Sequence, residues 1–118
     1  MTRIADRQTE HFASSVQDGV ATIHLTNPDR KNPLTLDSYA ELRDWFRALA
    51  SAEDCHAVAF MSHQGNFCSG GDVQDIIGPL LDKDMKGLLE FTRMTGDLVK
   101  AMLHCGKPII AAVDGVAV

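Results

Sequence analysis

Two short continuous apolar runs flank a long amphipathic segment in the second half of this 118-residue chain. Residues 57–63 (AVAFMSH) and 109–113 (IIAAV) have the length and composition of buried strands. Between them, apolar side chains recur at helical spacing from residue 83 to about residue 104, and Gly106-Lys107-Pro108 ends that pattern. A strand, a helix and a second strand in this order predict an α/β fold.

An antiparallel hairpin is predicted near the start of the chain. Residues 10–26 contain two short runs with alternating and β-branched apolar positions around Asp18-Gly19, and Asp-Gly is a strong hairpin signal. Residues 27–35 follow, with two prolines and two asparagines, and predict an irregular loop in which Arg30 and Lys31 are exposed.

A helix is predicted after this loop. Apolar side chains at 42, 46 and 49 repeat at helical spacing, which extends the helix to about residue 52. Thr35 and Ser38 are both candidate N-caps, and Glu41, three residues after Ser38, would complete a capping box.

The composition is typical of one soluble globular domain, with 45% hydrophobic residues, 23% charged residues and a net charge of −5. A nucleic-acid-binding chain would carry a surplus of Lys and Arg, so nucleic acid is not an expected partner. No apolar run approaches the roughly 20 residues that cross a bilayer, and the polar N-terminus has no signal-peptide pattern. We therefore expect a cytoplasmic protein with no membrane partner.

The cysteine and histidine spacings argue against a metal site and a disulfide framework. Cys55, Cys68 and Cys105 form an odd set without a CxxC pair, and the five histidines lack HExxH or HxxxH spacing. We expect reduced thiols, most of them buried, and no bound metal. P-loop, dinucleotide-binding and GxSxG nucleophile motifs are also missing.

The stretch from Gly65 to Asp72 (GNFCSGGD) holds three glycines at a predicted junction between a strand and a helix. Glycines there let a ligand approach the backbone and leave amide N–H groups unpaired at a helix N-terminus, where the helix dipole favours negative charge. Such amides can form an oxyanion hole. The alternative is a tight glycine turn without a ligand. Asp72 is placed to cap the helix that follows, which Gly78-Pro79 is expected to end.

Three separated stretches resemble the signature segments of the enoyl-CoA hydratase/isomerase (crotonase) family, in the same order: NPDRKNPL (27–34), GNFCSGGDV (65–73) and KPIIAAVDGVAV (107–118). The resemblance covers essentially the whole chain. It implies an α/β fold of crotonase-like ββα repeats, of which residues 1–118 form the N-terminal part of a single acyl-CoA-binding domain.

The resemblance also implies the site. The Gly71 amide matches one of two backbone donors that hold the thioester oxygen of an acyl-CoA, and no cofactor is implied, because coenzyme A is part of the substrate. The second segment is expected to line the pantetheine arm and adenine, and the first to contact the nucleotide end of CoA, although a solvated turn would equally explain Arg30 and Lys31. The implied binding residues are Arg30, Lys31, Asn32, Leu34, Ser69, Gly70, Gly71, Asp72, Val73 and Gln74.

One departure from the family pattern bears on the reaction. The second backbone donor and the glutamates that act as general acid and base in the hydratases correspond to positions after Val118. Acidic side chains that follow the glycine loop are better explained as solvated surface (Asp75, Asp82, Asp84 and Glu90). Four apolar residues could border an acyl pocket or belong to the core (Phe67, Met85, Leu88 and Met94).

We expect an acyl-CoA enzyme that stabilises an enolate and hydrates a 2,3-enoyl-CoA. Alternatives are an isomerase, a hydrolase or lyase acting on an aromatic or alicyclic CoA ester, and a truncated, non-catalytic CoA-binding module. A domain of this size has room for one core but not for a large enclosed site. We therefore expect the sequence to be the N-terminal part of a longer enzyme, which the resemblance implies is a homotrimer or a dimer of trimers.

Overall fold

A computed structural model describes residues 2–118 and contains one four-stranded sheet with helices packed against it. The strands lie in the order β1-β2-β3-β4, with β1 antiparallel to β2 and the other neighbours parallel. The strands are β1 (Ala13–Gln17), β2 (Val20–Leu25), β3 (Ala57–Ser62) and β4 (Ile109–Ala112). The helices are α1 (Leu36–Leu49), α2 (Gly78–Leu81) and α3 (Met85–Leu103), with a π-helical turn at Val73–Ile77 and 3₁₀ turns at Ile4–Asp6 and Pro28–Arg30.

The predicted hairpin is confirmed. Strands β1 and β2 pair from Ala13 with His24 to Gln17 with Val20, and the two residues between them turn the chain. Asp18 and Gly19 both have positive φ angles, 53° and 80°. This is the backbone that a two-residue turn needs to match the twist of the flanking strands.

Helix α1 and the candidate N-cap Thr35 are confirmed, but the predicted capping box with Glu41 and the predicted helix end are wrong. Thr35 is the N-cap, and Ser38 is the third helical residue, whose hydroxyl completes the capping box by accepting the Thr35 N–H at 2.8 Å. Glu41 is not part of this box, because its carboxylate accepts the amides of Glu10 and His11 at 2.8 and 2.7 Å. The helix ends at Leu49 rather than near residue 52.

The core lies between one face of the sheet and the helices α1 and α3. The largest buried side chains come from α1 and from the inward-facing positions of β2 and β3, with Leu98 of α3 packed on the same cluster. These side chains include Ile23, Leu42, Trp45, Phe46, Leu49 and Val58. Cys55, Cys68 and Cys105 are all free and buried, as predicted.

The segment after Asp72 differs from its prediction. Gly78-Pro79 does not end the helical segment, which continues as α2 to Leu81. Pro79 is the second residue of α2, where the π-helical turn passes directly into the α-helix. Helix α3 is confirmed within two residues at either predicted end, and Asp84 caps it by accepting the Gly87 N–H at 2.9 Å.

The last strand and the residues after it are apolar but exposed. In β4 only Ile109 is partly covered, and Ile110 and Val118 are 64% and 89% exposed. Within residues 2–118, no helix combines the length and apolar character needed to cross a bilayer.

Candidate active site

Three loops meet at one end of the sheet. The first loop (residues 26–35) follows β2, the second (63–72) follows β3, and the third (113–118) follows β4. Because these three strands are parallel, their carboxyl ends lie on the same edge, where α/β sheets commonly bind ligands. The three sequence segments singled out above are therefore brought together by the topology.

Backbone hydrogen bonds join the first loop to the second. The Ser69 N–H donates to the Lys31 carbonyl, the Leu34 N–H to the Gly70 carbonyl, and the Asp72 N–H to the Leu34 carbonyl, each at 2.8 Å. The last two bonds form a short parallel bridge between Leu34 and Gly71. The second loop is thus fixed along one side.

The third loop holds the other side of the second loop. The Phe67 N–H donates to the Asp114 carbonyl at 2.8 Å and the Cys68 N–H to the Val116 carbonyl at 3.0 Å. The Val118 N–H returns a bond of 2.9 Å to the Cys68 carbonyl. The second loop is consequently the middle strand of a small three-stranded ribbon.

The backbone amide of Gly71 has no hydrogen-bond acceptor within residues 2–118. In a parallel bridge the neighbours of the bridged residue bond to the partner strand, so the Gly71 N–H points away from Leu34. The backbone amides of Ser69, Gly70 and Asp72 all donate hydrogen bonds within the protein. The Gly70 N–H donates to the Cys68 sulfur at 3.4 Å. One partly exposed amide, between paired neighbours, remains available to a ligand.

Asp72 caps the helical turn that follows Gly71, as predicted. Its Oδ1 atom accepts the N–H groups of Gln74 and Asp75, each at 2.9 Å. Its Oδ2 atom lies 3.4 Å from the Arg30 guanidinium. Both carboxylate oxygens are therefore engaged by the protein. The nearby carboxylate of Asp75 accepts the Leu36 N–H at 2.9 Å, so this residue holds α1 against the turn.

The other predicted binding residues fall into two groups. Four of them are exposed on the rim of the three loops: Arg30, Lys31, Val73 and Gln74. The backbone N–H of Gln74 donates to the Asp72 carboxylate. Asn32 is buried, and its side chain is hydrogen bonded entirely within the protein. Ser69 and Leu34 are partly covered, as are the glycines at 70 and 71.

The four apolar residues considered for an acyl pocket do not share one, and Leu88 on α3 is 37% exposed. Phe67 lines a cavity of about 330 Å³ between the sheet and helices α1 and α3. Met94 lines a separate groove of about 180 Å³ between the two helices, and Met85 is exposed.

On α1, burial raises the pKa of the Tyr39 hydroxyl, with a smaller contribution from Cys68, so this group stays neutral near physiological pH.

Two contributors to the site were not singled out from the sequence. Asn66 accepts the Val116 N–H on its Oδ1 atom at 3.0 Å, and the Ser62 hydroxyl accepts from the Asn32 side chain at 2.8 Å. An asparagine after a glycine is a turn signal, but its partner 50 residues away is not visible in the sequence.

Within residues 2–118, no three His, Cys, Asp or Glu side chains are grouped as a metal would require.

The comparisons with known proteins agree with this arrangement. The enoyl-CoA hydratase/isomerase family model matches residues 15–118. The chain is 34% identical over 104 residues to a Mycobacterium tuberculosis protein named as a probable enoyl-CoA hydratase, covering 88% of this chain and 39% of that protein. It is 29% identical over 112 residues to the 1,2-epoxyphenylacetyl-CoA isomerase of Escherichia coli, covering 92% of this chain and 41% of the relative.

Solved structures give the same result. A Streptomyces coelicolor A3(2) protein assigned as an enoyl-CoA hydratase superposes with a TM-score of 0.86 at 44% identity, over 92% of this chain and 39% of that one. The fold is therefore the crotonase fold of these enzymes, over about two fifths of their length. The chain spans about two fifths of the length of these relatives. On the family model and these similarities, the chain belongs to the enoyl-CoA hydratase/isomerase family.

Proposed function

We propose that this chain binds an acyl-CoA thioester and that the Gly71 N–H donates a hydrogen bond to the thioester carbonyl oxygen. The observation that carries the proposal is the single unpaired amide between Gly70 and Asp72, both of whose amides are committed. A thioester α-proton becomes acidic only when the charge that moves onto the carbonyl oxygen is stabilised. A fixed N–H dipole supplies that stabilisation without reorganisation.

We propose hydration of a 2,3-enoyl-CoA as the reaction that this site serves. It is supported by the names of the M. tuberculosis and S. coelicolor relatives. The E. coli relative is an isomerase, so double-bond isomerisation, or hydrolysis or cleavage of an aromatic or alicyclic CoA ester, is the alternative within the family. These reactions share the enolate or oxyanion step and differ in the carboxylates placed around the acyl group.

A non-catalytic CoA-binding module is the second candidate, because the carboxylates that contact the second loop are already occupied. Asp72 accepts two amides and pairs with Arg30, and Asp75 accepts the Leu36 amide. Both oxygens of Asp72 and one oxygen of Asp75 therefore serve to hold backbone and side-chain groups of the protein. On this reading the second loop offers a carbonyl-binding amide, and the two carboxylates beside it have a structural role.

The experiment that tests carbonyl recognition compares butyryl-CoA with S-butyl-CoA, a thioether that differs only by the missing carbonyl oxygen. Affinities are measured by isothermal titration calorimetry on the full chain. We expect tighter binding of the thioester and a shift of the Gly71 amide resonance with the thioester only. Equal affinities for the two ligands would overturn the proposal.

Two substitutions at Gly71 form a matched pair. Gly71→Ala keeps the N–H, and its new Cβ would meet the Ile76 side chain at an ordinary 3.5 Å. Gly71→Pro removes the N–H. The thioester preference is expected to persist in the alanine variant and to disappear in the proline variant, with circular dichroism confirming that both are folded.

An assay of crotonyl-CoA turnover then distinguishes the enzyme hypothesis from the hypothesis of a non-catalytic CoA-binding module. If the purified chain, of verified intact mass, hydrates crotonyl-CoA, Gly71→Pro is expected to lower the rate by roughly 100-fold. Thioester-selective binding without turnover supports the binding module for this chain.

A further inference from the structure

Asn32 occupies an unusual position in the first loop. It is 3% exposed and has a left-handed backbone, with φ at 50°. Its Oδ1 atom accepts the Asn27 N–H at 2.8 Å, within its own loop. Its Nδ2 atom contacts three acceptors in or before the second loop, namely Ser62 Oγ and the carbonyl oxygens of Asn66 and Phe67, at 2.8, 2.8 and 3.0 Å.

The backbone of Asn32 is connected to the second loop as well. Its carbonyl oxygen accepts the Cys68 thiol at 3.3 Å, and the Cys68 sulfur in turn accepts the Gly70 N–H at 3.4 Å. A chain of hydrogen bonds thus runs from Asn32 through Cys68 to the residue that precedes Gly71. Gly70 has a φ of 90°, a conformation that only glycine adopts readily and that sets the direction of the next peptide group.

These contacts leave Asn32 no polar atom for a ligand and give it a different task from direct CoA binding. A buried amide that loses its partners is costly, so the side chain is held firmly and fixes the carbonyls at 66 and 67. Those carbonyls lie directly before Cys68, whose own N–H and carbonyl are bonded to the third loop. Asn32 therefore links all three loops around Gly71.

We propose that Asn32 is the positioning residue that aims the Gly71 N–H at the thioester oxygen, through its side chain, which holds the carbonyls before Cys68, and through its backbone carbonyl, which accepts the Cys68 thiol; the inference rests on the proposed function of Gly71. Asn32→Asp tests it, because aspartate keeps the acceptor for Asn27 and loses the donors to the second loop. We expect the affinity ratio of butyryl-CoA to S-butyl-CoA to fall by roughly tenfold, the effect of one misdirected hydrogen bond. The affinity for S-butyl-CoA should change little.

A second pair of variants tests the contact from the Asn32 backbone through the Cys68 thiol to Gly70, which Asn32→Asp leaves in place. Cys68→Ala removes the thiol between Asn32 and Gly70, whereas Cys68→Ser keeps a group that both donates and accepts. The thioester preference should fall in the alanine variant and be restored, at least in part, in the serine variant. Equal preferences in the two variants would overturn the proposal.

Lys107→Met is the control for a loss of stability alone. Its ammonium contacts the α1 end and not the loops, so this variant should unfold at lower urea and keep the thioester preference. If the wild-type chain shows a preference and the folded Asn32→Asp variant retains it, Asn32 has no positioning role and the role of Gly71 stands. If the wild-type chain shows no preference, both proposals fall.

Discussion

The carboxylate of Asp72 lies 3.4 Å from the guanidinium of Arg30, and this pair joins the first and second loops. The Asp72 side chain is only 8% exposed, whereas that of Arg30 is 64% exposed. The acid is therefore held mainly by the amides that it caps. Arg30 has donors left over for an anion, which suits the CoA-contacting role proposed for its loop.

Substitution of Asp72 should separate the cap from the ion pair. Asp72→Ala leaves the amides of Gln74 and Asp75 without an acceptor and is expected to cost about 1–2 kcal/mol of unfolding free energy. Asp72→Asn keeps an oxygen for those amides, so its cost should be smaller, because an exposed partner contributes little to the ion pair. Urea unfolding of both variants measures this. Equal losses would contradict the cap as the larger effect.

The two glycines at 70 and 71 should differ in their tolerance of alanine. Gly70 has a φ of 90°, so Gly70→Ala is expected to destabilise the chain by about 1–2 kcal/mol, although there is space for the new Cβ. Gly71 has no positive φ, and its alanine variant should unfold close to the wild type. Thermal unfolding of the two variants side by side provides the comparison, and the reverse order would refute it.

Lys107 should stabilise the end of α1. Its ammonium donates to the carbonyl oxygens of Leu49, the last residue of α1, and of Ala52, at 2.7 and 2.6 Å. Lys107→Met keeps the aliphatic stem and removes both bonds, at an expected cost of about 1–3 kcal/mol in urea unfolding. Lys86→Met, on the exposed side of α3, is the matched control and should change stability by less than about 0.5 kcal/mol.

Asp54 should make stability depend on pH on the acid side. Desolvation raises the pKa of Asp54, but hydrogen bonds from the Ala5 and Ile4 amides outweigh it and hold the pKa below its ordinary value of 3.8. The carboxylate therefore stabilises the fold above pH 3.8, and this contribution is lost as the pH falls through the lowered pKa.

Asp54→Asn isolates that effect. The difference in unfolding free energy between the wild type and this variant should be largest near neutral pH and shrink as the pH drops below 3.8. Chemical denaturation across an acidic pH series measures it. A difference that stays constant with pH would show that the carboxylate charge plays no part.

Local sequence was sufficient for the elements whose signals are local. The Asp18-Gly19 turn and the apolar spacing of α1 and α3 depend on contacts within a few residues, and all of them are confirmed. The sequence left Thr35 and Ser38 open as caps of α1 because their signals overlap, and the structure selects Thr35. Glu41, which looked like a capping partner, instead binds amides about 30 residues earlier in the chain.

By itself, the sequence determined the α/β class, the family and the glycine loop that contains Gly71, since these follow from short patterns and motifs. Only the tertiary structure decided that the Gly71 amide stays unpaired between bonded neighbours and what each polar side chain does. Asn32, expected at the ligand, is buried against Ser62, Asn66 and Phe67, more than 29 residues away in the chain. Parallel strands bring such distant loops to one edge, and no local pattern encodes which of their donors and acceptors will meet.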